Sequence, residues 1–117
     1  MEMGDGDGEN GWIPVISTEE LPQERASKVD AFGTTVMLYR SGATVFAVAS
    51  RCTHQGAPLE RGVVKADGSS PTVTCPAHGS VFSLVDGAVR RGPATQPVRS
   101  FETRIGDGMV VELRPRS

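Results

Sequence analysis

The chain has 117 residues with 12 Lys and Arg against 14 Asp and Glu, a net charge of −2 and 38% hydrophobic residues, which suits one domain with its own core and no need of disulfide staples. No basic run is interleaved with aromatics, which excludes nucleic acid as a partner, and the longest apolar run, VFAVA at 45–49, is far too short for a membrane span. No apolar export segment opens the sequence, so the expected location is the cytoplasm, where thiols stay reduced.

Residues 1–11, MEMGDGDGENG, read as a disordered acidic tail. DGDGENG suggests a calcium loop, but with Asp5 at position 1 the turn glycine is replaced by Asn10 and the bidentate Glu by Ile16. The acidic character continues to Glu24, with no Lys or Arg before Arg25, and reads as a solvated surface. The single domain is expected over 12–117.

WIPVIS predicts a first strand. STEELP follows, with Ser17 as N-cap and Glu20 three residues on, and Pro22 limits this to about one turn. KVDAF, TTVMLYR and TVFAVAS are β-branched and apolar runs separated by Gly33 and by Ser41-Gly42, the pattern of hairpin-linked antiparallel strands. GVVK, TVTC, SVFSL, GAVRR, VRSFETRI and MVVEL continue it, broken by DGSSP, DG, GPATQP and GDG. No window supports a helix of ordinary length. The expectation is all-β, an antiparallel sandwich of small sheets or a small barrel with at most one short helical turn.

The chain has two cysteines and two histidines, and all four fall in two loops that begin just after strands. CTHQGAPL at 52–59 supplies Cys52 and His54; CPAHGSVF at 75–82 supplies Cys75 and His78. Zinc fingers usually pair cysteine with cysteine and histidine with histidine, whereas here each loop gives one of each. A two-iron, two-sulfide cluster offers a reason for the mixture: with both thiolates on one iron and both imidazoles on the other, each loop bridges the cluster. Gly56 and Gly79 let backbone amides come close to its sulfurs.

RCTHQGAPLERG and CPAHGSVFSL resemble the two boxes of Rieske-type iron-sulfur proteins, and the likeness extends over nearly all of 12–113. It takes in VFAVAS before the first box, GAVRRGPATQPV after the second and the closing DGMVVEL. The resemblance implies a Rieske-like fold with a cluster-binding portion at about 50–94. It implies one 2Fe-2S cluster, with Cys52 and Cys75 on an inner iron, His54 and His78 on a more exposed outer iron, and Gly92, Pro93 and Ala94 in a third loop covering it. Ser80 stands where the respiratory, high-potential branch donates a hydrogen bond to a bridging sulfide. That branch also has a disulfide between the boxes and a tyrosine near a cysteine sulfur; Ala57 and Ala77 occupy the disulfide positions here and Phe82 the tyrosine position. The gap between boxes is a few residues longer than usual, with ADGSSP as an extended hairpin tip.

The likeness is therefore to the soluble ferredoxin branch, and it implies a monomeric electron carrier between a flavin reductase and a terminal oxygenase. A module like a nitrite reductase small subunit is the alternative within the same class, and a zinc-stabilised structural domain the alternative from another. The chain has no room for a substrate pocket or a nucleotide-binding unit, so it is expected to serve an enzyme rather than be one. Arg51, Arg61, Arg90 and Arg91 flank the loops; a docking role and simple solvation are both open for them. For Ser80, a role in stabilising the turn stands beside the role as sulfur donor.

Overall fold

In the computed structural model, which describes residues 11–54, 56–66 and 70–116, the β-branched runs become strands β1 Ile13–Ser17, β2 Ala26–Ala31, β3 Thr34–Ser41, β4 Thr44–Ala49, β5 Val63–Lys65, β6 Thr72–Thr74, β7 Val81–Ser83, β8 Val89–Arg91, β9 Ser100–Gly106 and β10 Val110–Pro115. All named strand pairs are antiparallel. They form a large sheet ordered β1-β10-β9-β4-β3-β2 and a small one ordered β5-β6-β7-β8. Residues 1–10 of the expected 1–11 tail lie outside the described residues. Three residues of the expected hairpin tip, 67–69, also lie outside them; the strands it joins pair as Lys65 with Thr72.

Ser17 caps the turn Thr18–Glu20, its Oγ accepting the Glu19 N–H at 3.2 Å. A second 3-10 turn, Leu59–Arg61, follows the first Cys/His loop. Its N-cap residue, Pro58, offers no side-chain cap, which is why no capping residue next to it announces it in the sequence.

β3 explains how two cores arise from one sheet. Successive side chains of a strand point to opposite faces, and Val36 to Tyr39 are all buried. Val36 and Leu38 join a cluster with Leu21, Val45, Phe101, Val111 and Leu113 inside the large sheet. Met37 and Tyr39 join a second cluster between the sheets, with Val48, Leu59, Val73, Phe82, Leu84 and Val98. Cys52 and Cys75 belong to this second cluster, so the small sheet and the two loops share one core.

Trp12, ahead of β1, is buried at 9% exposure beneath two guanidinium groups. Arg104 and Arg114 lie 4.3 and 4.6 Å from its ring centroid, and each also pairs with a carboxylate on the neighbouring strand, Glu112 and Glu102. Among the described residues no helix is long and apolar enough to cross a membrane.

Candidate metal centre

The two loops are closed by the same hydrogen bonds. In the first, Cys52 N–H donates to the Ala57 carbonyl at 2.9 Å and Gly56 N–H to the Cys52 carbonyl at 2.7 Å. In the second, Cys75 N–H donates to the Ser80 carbonyl at 2.7 Å and Gly79 N–H to the Cys75 carbonyl at 3.2 Å. Each glycine is thus the fourth residue after its cysteine. Each has a positive φ, 75° at Gly56 and 81° at Gly79, a conformation that a side chain disfavours. Their own N–H groups are engaged by the cysteine carbonyls. What glycine contributes is the backbone conformation that closes the turn, rather than an amide of its own aimed at sulfur.

On this repeated frame the cysteines point inward and the histidines outward. Cys52 and Cys75 are 3% and 4% exposed and neither is in a disulfide. His54 and His78 are both exposed, and their rings meet edge to face with centroids 5.1 Å apart. The sequence spacing, C-x-H in one loop and C-x-x-H in the other, hides this symmetry. The cysteine and glycine are equivalent in both loops, and only the histidine moves by one place.

A third loop is fastened to each of the first two. Ala94 N–H donates to the Ser80 Oγ at 3.0 Å, and the Thr53 Oγ1–H donates to the Gln96 carbonyl at 2.6 Å. Ser80 is wholly buried and Ala94 nearly so, while Pro93 between them and solvent is exposed. Thr53 and Gln96 carry no metal-binding chemistry, so sequence reasoning had no reason to single them out. The neck of the first loop is also braced: Glu60 N–H donates to the Ser50 Oγ at 3.2 Å, and the Ser50 hydroxyl donates to the Glu60 carboxylate. Lys28 stands 3.9 Å from the other oxygen of that carboxylate.

The donors therefore form two chemical pairs, sulfur within the intersheet core and nitrogen at the surface. Among the described residues no group of three or more His, Cys, Asp or Glu is placed around a single ion. The soft thiols and borderline imidazoles are the ligand types that iron-sulfur centres take.

A family profile described as the Rieske [2Fe-2S] domain matches residues 11–102. The anthranilate 1,2-dioxygenase ferredoxin subunit of Burkholderia cepacia is 32% identical over 99 residues, covering 85% of this chain and 88% of that protein. Among solved structures, the ferredoxin of carbazole 1,9a-dioxygenase from Nocardioides aromaticivorans IC177 superposes with a TM-score of 0.79 at 28% identity, covering 90% of this chain and 98% of that one. A chain described as an NADH-dependent nitrite reductase small subunit, from Mycobacterium tuberculosis, superposes at 0.78 and 24% identity over 91% of this chain and 96% of that one, a likeness of fold.

Proposed function

The chain belongs to the Rieske [2Fe-2S] family, and from that premise we propose that it is a one-electron carrier holding a single 2Fe-2S cluster between its two Cys/His loops. Cys52 and Cys75 would hold the inner iron through sulfur, and His54 and His78 would hold the outer one through nitrogen. The observation that carries this assignment is the shared loop frame, which buries both cysteines, exposes both histidines and brings the imidazoles to 5.1 Å. Bound there, the cluster supplies a centre that takes up one electron and gives it back.

The remaining residues orient, enclose and expose. Gly56 and Gly79 close the two turns, and the third loop, with Pro93 at its surface, covers the site from one side. Ser80 holds that loop through its oxygen, and its proton is available to a sulfide. Core residues such as Leu59, Val73 and Phe82 keep water from the sulfur side, while His54 and His78 put the other side where a partner's redox centre can approach. Residues 12–117 act as one Rieske domain.

The relative at 32% identity is a dioxygenase ferredoxin subunit, and this favours a terminal oxygenase as acceptor and a reductase as donor over a nitrite reductase assembly. The carrier works as a cytoplasmic monomer. Its ligand set is tested by His54→Ala and His78→Ala, each with iron and sulfide quantified and the reduced protein examined by electron paramagnetic resonance. Each substitution is expected to abolish the Rieske-type signal. A signal unchanged in either variant removes that histidine from the ligand set, and a wild type that binds zinc in place of iron and sulfide defeats the reading.

A further inference from the structure

Four arginines stand beside the two loops. Arg51 immediately precedes Cys52, and its Nη1 lies 3.6 Å from where a Cβ on Gly56 would stand, so the guanidinium rests against the first loop. Arg61 precedes Gly62, whose backbone packs on Thr74 so closely that an added Cβ would sit 2.1 Å from the Thr74 oxygen. Thr74 is the residue before Cys75, and Arg61 therefore stands at the entry to the second loop. Arg91 faces Val81 across the β7–β8 pair, one residue beyond Ser80, at that loop's exit. The register shift there sets an additional β8 residue, Arg90, against the same stretch of β7.

All four arginines are exposed, and none is ion-paired among the described residues. Two arginines of the large sheet, Arg104 and Arg114, are paired with carboxylates. Glu60 and Asp30 each line a cleft that Arg51 also lines, but neither carboxylate is within ion-pair distance of it. Glu60 is engaged by Ser50 and Lys28, and Asp86 lies at the turn end of the β7–β8 hairpin, away from Arg91. The exposed ground between the arginines is uncharged: Thr53, His54, Pro76, Ala77, His78 and Pro93. An uncharged centre inside a charged rim is the anatomy of a protein-docking face, and like charges left unpaired around it repel one another until a partner supplies the opposite sign.

We propose that Arg51, Arg61, Arg90 and Arg91 form a docking rim for a redox protein whose electron-transfer face is ringed by Asp and Glu carboxylates. The rim selects acidic-faced partners against basic-faced ones. This rests on the electron-carrier reading above and adds to it the chemical class of the partner's surface. The net charge of −2 has the opposite sign to the rim, and so the two make opposite forecasts.

The test mixes reduced, cluster-loaded protein with one of two oxidants in a stopped-flow instrument: lysine-rich cytochrome c, and the same cytochrome with its lysines succinylated to carboxylates. Each haem takes one electron, Fe(III) becoming Fe(II), as the carrier is oxidised by one electron; no covalent bond changes. From about 10 mM to about 1 M salt the screening length falls from about 30 Å to about 3 Å. Over that range the rate with the succinylated form should fall roughly tenfold while the rate with the native form rises. Arg51→Glu, Arg61→Glu and Arg91→Glu combined should reverse both slopes, and the three Gln substitutions should flatten them. A wild type that prefers native cytochrome c at low salt, or variants with an intact signal and wild-type slopes, would overturn the rim. Failure of the wild type to assemble any cluster defeats the ligand reading, and this inference with it.

Discussion

Ser80 is fully buried and its Oγ accepts the Ala94 N–H at 3.0 Å; a hydroxyl accepts and donates at once, so the side chain that holds the third loop would still have a proton to offer a cluster sulfide under the proposed reading. Hydrogen bonds to cluster sulfurs favour the more negative reduced form and raise the potential. Phe82, 0% exposed, offers no second hydroxyl, and Ala57 and Ala77, at the positions of the other branch's disulfide, provide no brace between the loops. The expected midpoint is therefore about −150 to 0 mV, in the lower part of the Rieske range rather than toward about +300 mV. Ser80→Ala should lower it by roughly 40 mV, the one-electron equivalent of about 1 kcal/mol of lost hydrogen bonding. Protein-film voltammetry of both proteins decides: an unchanged midpoint in the variant limits Ser80 to fastening the loop, and a wild type near +300 mV means that donors other than Ser80 reach the cluster sulfurs.

At the scale of elements, side-chain hydrogen bonds fasten the third loop to both boxes, and the Thr53–Gln96 bond ties it to the first. Thr53→Val keeps the shape and removes the donor. It should speed chelator-driven bleaching of the visible absorption roughly fivefold, the equivalent of about 1 kcal/mol; an unaltered rate would show that the loop is held without this bond. The strands and the two boxes were legible in the sequence because their signals are local: alternating or β-branched runs between glycine-containing turns, and four ligand-type residues confined to two stretches. The uncapped turn Leu59–Arg61 left no such mark. The bonds from Thr53 to Gln96 and from Ala94 to Ser80 cross 43 and 14 residues, and only folding reveals which distant carbonyl or amide a hydroxyl will meet. The burial of both cysteines could not be read locally either. It follows from β3 serving two cores, a property of how the sheets pack.

The molecule as a whole is divided by that same strand. The cluster of Val36, Leu38, Phe101, Val111 and Leu113 closes the large sheet on itself, whereas the intersheet cluster counts the two cysteines among its members. Metal binding to donors that an unfolded chain cannot preorganise contributes to folding, and here that contribution falls on one core and not the other. With Cys52 and Cys75 as the proposed ligands, removing iron and sulfide would leave two thiols and the loops that carry them without their common tie, while the β9–β10 pairing would lose nothing directly. Hydrogen exchange followed by mass spectrometry on the loaded and stripped proteins should therefore show a graded response. Protection should drop most in 50–62 and 71–98, which hold the loops, the second 3-10 turn and strands β6 to β8. It should persist in β9 and β10, whose open forms are set by the other core. Uniform loss of protection across both sheets would mean that the two clusters unfold as one cooperative unit and that the cluster stabilises the entire fold. Equal protection in both states would mean that the intersheet core holds its loops without the metal.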